Sequence, residues 1–137
     1  MIEVKFKVWD KINKKIYPVV RMWFNQGVLQ NVWVETSEGR ISKRTLDNVI
    51  LIRYTGLKDK NGIEIYEGDI LRYEDGVPLC VVYSEQYCAW IIQTPDKKWW
   101  KFASMFSFDN TCLCHIVGNV YENPELLEEK SGNQGSI

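Results

Sequence analysis

Along much of the chain, hydrophobic and polar residues alternate with a period of two. Val4, Phe6 and Val8 are interleaved with Lys5 and Lys7, which predicts a strand with one wetted face. Residues 10–15 are polar and predict a turn, with residues 16–20 returning as the second strand of a hairpin. Pro18 has no N–H to give to a ladder, so that return is expected on a sheet edge or at a bulge. Residues 22–24, a turn at Asn25-Gln26-Gly27 and the alternating run Val28–Glu35 come next. Residues 36–48 are polar and irregular, with at most one helical turn at 42–46, and residues 49–54 are again strand-like.

The second half carries shorter apolar runs between turn residues. Asn61-Gly62 predicts a type I′ turn or a G1 bulge, both of which need positive φ. Gly68-Asp69 predicts a tight bend opening the strand Ile70-Leu71, which Asp75-Gly76 ends. Residues 79–83 and 88–93 read as core strands, and Thr94-Pro95-Asp96-Lys97 as a type I turn with proline in its favoured second position. Residues 98–102 return from that turn, residues 111–117 form a further strand, and Gly118-Asn119 marks a turn or bulge. Residues 122–129 predict a short helix with Asn123 as N-cap and Pro124 in the first turn. Residues 131–137 are expected to be a disordered tail. Eight or nine short strands with almost no amphipathic helix predict an all-β barrel or sandwich.

Composition narrows the function classes. The 137 residues suit one compact domain, and 45% hydrophobic and 13% aromatic residues are ample for a core. Lys plus Arg (17) balances Asp plus Glu (18), so no overall basic charge points to nucleic acid. The N-terminal residues lack an apolar h-region, and no run approaches the length needed to span a bilayer. A soluble protein of a cytoplasm is therefore expected, with Cys80, Cys88, Cys112 and Cys114 as reduced thiols and no membrane partner.

Three segments carry a family resemblance. The first is Lys5-Phe6-Lys7-Val8-Trp9-Asp10 with Asn13-Lys14-Lys15. The second runs from Tyr54-Thr55-Gly56-Leu57-Lys58-Asp59-Lys60-Asn61-Gly62 through Tyr66-Glu67-Gly68-Asp69-Ile70-Leu71. The third is Val117-Gly118-Asn119-Val120-Tyr121-Glu122-Asn123-Pro124-Glu125-Leu126-Leu127. In this order they resemble the YopX family of phage and prophage proteins. The resemblance implies a small SH3-like barrel over residues 51–122, with residues 1–50 as an N-terminal β-hairpin extension packed on it and residues 123–137 as a short helix and tail. It also implies a gene carried by a bacteriophage or prophage and a tendency to oligomerise. It implies no catalytic residue and no cofactor. Tyr54, Gly56, Leu57, Asp59, Asn61, Gly62, Tyr66, Gly68 and Asp69 are its central motif, with a structural role.

Candidate chemistry is sparse. Asp59, Glu64, Glu67 and Asp69 form a carboxylate cluster that could hold a divalent cation or work as an acid–base pair. Their spacing fits no calcium loop, and Asx-turn hydrogen bonding explains Asp59 and Asp69 equally well. Cys112, Cys114 and His115 invite a zinc reading with Cys80 and Cys88, but no paired knuckle is present, and alternation turns His115 away from the two cysteines. The adjacent Cys114 and His115 face apart, which also argues against a Cys–His nucleophile. Lys97, Lys98, Trp99 and Lys101 could contact a phosphate backbone and stack bases. On a strand Trp99 and Trp100 face opposite ways, so at least one is expected in the core. Trp9, Trp23 and Trp33 load the N-terminal strands with apolar area, and residues 2–9 read as an edge strand able to join another sheet. The expected function is a non-enzymatic, self-associating phage accessory module that binds a phage or host macromolecule. A nucleic-acid-binding barrel and a carboxylate metal enzyme are the alternatives.

Overall fold

The computed structural model describes residues 3–128, and the chain divides into two compact units, residues 1–54 and 55–137. The division falls inside a strand, four residues beyond the boundary expected after residue 50.

In the first unit, β1 (Phe6–Asp10), β2 (Lys15–Asn25), β3 (Val28–Glu35), β4 (Ile41–Thr45) and β5 (Val49–Lys58) follow in sequence, with a 3-10 turn at Leu46–Asn48. The strand order is β4-β3-β2-β1-β5, and the pairs are antiparallel. Alternation puts Val8, Tyr17, Val32, Val34 and Val49 together as a buried cluster.

Three expectations are corrected here. β1 is not an edge: it lies between β2 and β5, paired on both sides. Residues 16–24 form one long strand, in which Pro18 precedes the first β2–β3 pair, Val19 with Val34, next to a register shift. The polar stretch 41–45 is a strand, not a helical turn. It pairs with β3 through the backbone, and its Arg44 side chain reaches Asp10 at the end of β1, where Nε donates to Oδ2 at 2.8 Å, an attraction that a hydrophobic pattern does not register.

The second unit contains β6 (Glu64–Tyr66), β7 (Asp69–Arg72), β8 (Leu79–Ser84), β9 (Ala89–Gln93), β10 (Trp99–Lys101), a 3-10 turn at Phe102–Met105 and β11 (His115–Asn119). β6 adjoins β5, and the other five strands form a sheet ordered β10-β9-β8-β7-β11. Ile65, Leu71, Leu79, Val81, Ile92, Phe102, Cys112 and Cys114 make its core. One helical turn covers residues 125–128, and the expected tail at 131–137 lies outside the described residues. The fold is all-β with two antiparallel sheets, and neither sheet closes on itself. β10, only three residues long, ends one side of its sheet and β11 ends the other. No helix among the described residues is long and apolar enough to cross a membrane.

Candidate functional site

The residues that carry the family resemblance converge on chain corners. At the first, Asp10 is 1% exposed. Its Oδ1 accepts from the Ile12 and Asn13 N–H groups, both at 2.9 Å, and its Oδ2 accepts from Arg44. Burial opposes ionisation of Asp10, but these donors outweigh it and hold the carboxyl below its ordinary value.

The second corner is the loop 59–63. Gly62 N–H donates to the Asp59 carbonyl at 3.0 Å with Gly62 at φ +82°, and Asn61 keeps negative φ. This is the G1-type alternative, not type I′. Asp59, 5% exposed, accepts from Asn61 and Ile63 N–H through Oδ1 and from Ile116 N–H through Oδ2, at 2.8, 2.9 and 3.0 Å. One carboxylate therefore folds its own loop and fastens it to β11. Lys60 N–H adds a bond to the Cys114 carbonyl at 2.9 Å.

The third corner carries the chain out of β6 into β7. Gly68 has φ +88°; its N–H donates to Val81 O at 2.8 Å and its carbonyl accepts from Val120 N–H at 2.9 Å. Asp69 Oδ2 accepts from Tyr66 N–H at 2.8 Å. Tyr121 crowds the outside of the bend. The segment that supplies Tyr121 is itself a corner: Asn119 Oδ1 accepts from Tyr121 and Glu122 N–H, and Asn123 Oδ1 accepts from Asn119 N–H. The Asn123 side chain thus bonds backward to Asn119, and its carbonyl, accepting from Leu126 N–H, opens the terminal turn. A bulge in the β11–β7 pairing between Ile116 and Gly118 brings Gly118 against Asn123 and Leu126.

These bonds decide what the carboxylates can do. Asp59 is committed to three backbone donors and Asp69 to one, while Glu64 and Glu67 have interactions of their own. Among the described residues, no group of three or more His, Cys, Asp or Glu side chains is placed to hold a metal ion.

The cysteines do not converge either. Cys88 is exposed in the turn before β9. Cys80 pairs with Ile70 across β7–β8, and burial pushes its thiol up to about 11. Cys112 and Cys114 are buried together in the core, away from both. His115 pairs across β11–β7 with Arg72, and its buried Nδ1 has no hydrogen-bond partner.

The lysine and tryptophan candidates lie on the β9–β10 hairpin. The turn forms as the sequence predicts, with Lys97 N–H on the Thr94 carbonyl at 3.0 Å, and Lys97 takes φ +72°. Lys98 Nζ lies 3.9 Å from Asp96 Oδ2. Trp99 and Trp100 are 40% and 43% exposed, so neither is core. They do face opposite ways, but β10 ends the sheet and covers neither. Sequence reasoning did not find Tyr87, whose ring lies 4.8 Å from that of Trp99. An open hollow of about 390 Å³ beside Lys97 is lined by Cys80, Val82, Gln93, Thr94 and Pro95.

No curated protein matches the chain. The crystal structure of protein EF1440 from Enterococcus faecalis is similar at 25% identity and TM-score 0.64, over 93% of this chain and 99% of that one. The model of the YopX protein family matches residues 5–128, a span that holds all three motif segments and the strands between them, and the chain belongs to the YopX family.

Proposed function

We propose that the chain is a non-enzymatic accessory protein of a bacteriophage or prophage. In this reading it is a β module that self-associates and binds a phage or host macromolecule in the bacterial cytoplasm. The observation that carries it is the far half of the β2–β3 hairpin. Trp23 and Phe24 are each 52% exposed, on opposite faces of β2, and Val20 and Val28 beside them are also exposed. An apolar strand end bare on both faces gains about 25 cal/mol for each Å² it buries, and a second copy supplies a matching surface through a two-fold axis. Trp33 contributes less, because Arg21 and Lys43 lie 5.4 and 5.9 Å from its ring.

Sedimentation velocity over a range of micromolar concentrations tests the proposal. Wild type should assemble, and Trp23→Ser/Phe24→Ser should shift to monomer with little change in melting temperature. A wild type that stays monomeric throughout, or a variant that assembles equally well, refutes it.

We further read residues 51–122 as an opened SH3-like barrel. The support is topological: a four-strand meander β7–β10, a 3-10 turn, and a last strand returning beside β7. A second functional reading, nucleic-acid binding, is favoured by the Tyr87–Trp99 ring pair beside Lys97, Lys98 and Lys101. Filter binding to single-stranded DNA and RNA at low and moderate salt tests it, and absence of salt-sensitive binding at micromolar protein removes it.

A further inference from the structure

We infer that Cys112, Cys114 and Met105 form a binding site for a soft monovalent metal ion of the Cu(I) type. The site is built by a clasp. Met105 ends the 3-10 turn Phe102–Met105, and the two cysteines lie on the segment leading into β11. Leu113 N–H donates to the Met105 carbonyl at 2.8 Å, and Phe106 bridges to Cys112 in antiparallel register. Ser107 N–H closes the loop on the Thr111 carbonyl at 3.0 Å. These bonds bring Met105 against the buried cluster that holds both cysteines. Cys114 Sγ lies 3.5 Å from Met105 Sδ, and Cys112, two residues earlier in the chain, is buried in the same cluster.

The donor set selects the ion. Thiolate and thioether sulfurs suit Cu(I), whereas zinc takes thiolate, imidazole and carboxylate and does not use a thioether. Cys112 and Cys114 are 3% and 0% exposed, with Leu71, Leu79, Val81 and Phe102 in the same cluster. Such a shell excludes the water that hard cations retain. The Asp59 carboxylate, which acts on Cys112 through its charge, is already committed to three N–H groups and adds no free oxygen. Binding as two thiolates would release the two thiol protons to water. An approach exists on the Met105 side, where Tyr73, Val77, Ser104, Met105 and Leu113 line an open apolar hollow of about 300 Å³.

The test uses the full chain carrying Cys80→Ser and Cys88→Ser, so that only the two core thiols remain. Anaerobic titration with Cu(I) against a chromophoric Cu(I) chelator should show one ion bound per chain. Cys112→Ser and Cys114→Ser should each abolish binding, and Met105→Leu should weaken it by about tenfold. Where a serine variant fails to fold, the melt of the Cys80→Ser/Cys88→Ser protein decides: Cu(I) should raise the midpoint and Zn(II) should leave it unchanged. A folded Cys80→Ser/Cys88→Ser chain that retains no Cu(I), or a Cys112→Ser/Cys114→Ser variant that retains it equally well, overturns the inference.

Discussion

Gly68→Val should be among the most damaging single changes at a turn of this protein, because Gly68 is buried. The φ of +88° is costly for any residue with a Cβ, at about 1–2 kcal/mol, and more for a β-branched one. Space adds to this. A Cβ at residue 68 would stand 3.0 Å from Tyr121 Cε2 and 3.3 Å from Val120 Cγ2, before the valine methyls are counted. Overpacking of that kind costs about 1–3 kcal/mol. The backbone cannot swing away, because residue 68 is bonded to Val81 through its N–H and to Val120 through its carbonyl. The expected loss is therefore about 2–5 kcal/mol in urea denaturation of the second unit. Gly62 supplies the control: its φ is +82°, but nothing lies within 4 Å of an added Cβ. Gly62→Ala should show the backbone cost alone, and Gly68→Ala should exceed it by the Tyr121 contact. Tyr121→Ala should recover that excess. A Gly68→Val protein as stable as wild type would refute the bend, and equal losses for the two alanine variants would refute the contact.

Other expectations follow from the same corners. Asp59→Ala orphans three N–H groups and should cost about 2–4 kcal/mol, while Asp59→Asn should lose less if it keeps the loop bonds and gives up the tie to Ile116. Amide exchange at Ile116 distinguishes them, and unchanged exchange in Asp59→Ala would contradict the tie. Asp10 has a folded pKa below its ordinary 3.8. Its stabilisation is complete above that value and is lost as pH falls through the depressed pKa. Asp10→Asn should flatten this acid limb in urea melts taken across that range, and parallel acid limbs for the two proteins would count against it. Trp99→Ala and Trp100→Ala should each cost only about 0.5–1.5 kcal/mol, since both side chains keep much of their surface in water. A loss several times larger in one of them would mean that it is buried.

β1 and β3 lie close to where period-two patterns put them, β8 and β9 where short apolar runs do, and β5 runs four residues past its expected end. β4 was not legible in the sequence, because its residues are mostly polar and its Arg44 side chain is tied to Asp10 of β1, 34 residues away. β2 was read as two pieces because Pro18 and the register shifts interrupt its pattern without ending the strand. For Trp99 and Trp100, periodicity gave opposite faces correctly. Whether a face is covered depends on sheet order, and β10 falls at an end. The same limit governs the candidate sites. The short-range bonds of Asp59 to Asn61 and Ile63 follow from turn chemistry, but its bond to Ile116 spans 57 residues. Nothing in the spacing of Met105 and Cys114 announces that their sulfurs meet.

The positions that define the family are therefore a poor place to look for its activity. Asp10, Asp59, Asp69, Asn119 and Asn123 each have side-chain oxygens engaged with backbone N–H groups, and Gly62 and Gly68 occupy left-handed backbone. A carboxylate holding buried donors cannot also bind a cation or move a proton without releasing them, at about 1–3 kcal/mol for each donor left unpaired. These residues fix the path of the chain, and contacts with other molecules fall to the surfaces between the corners. In this chain those surfaces are the bare end of the β2–β3 hairpin and the aromatic β9–β10 hairpin. Trp23→Ser/Phe24→Ser and Trp99→Ala/Trp100→Ala should accordingly leave the fold in place while removing different interactions. A double substitution that unfolds its unit would show that the surface belongs to the scaffold after all.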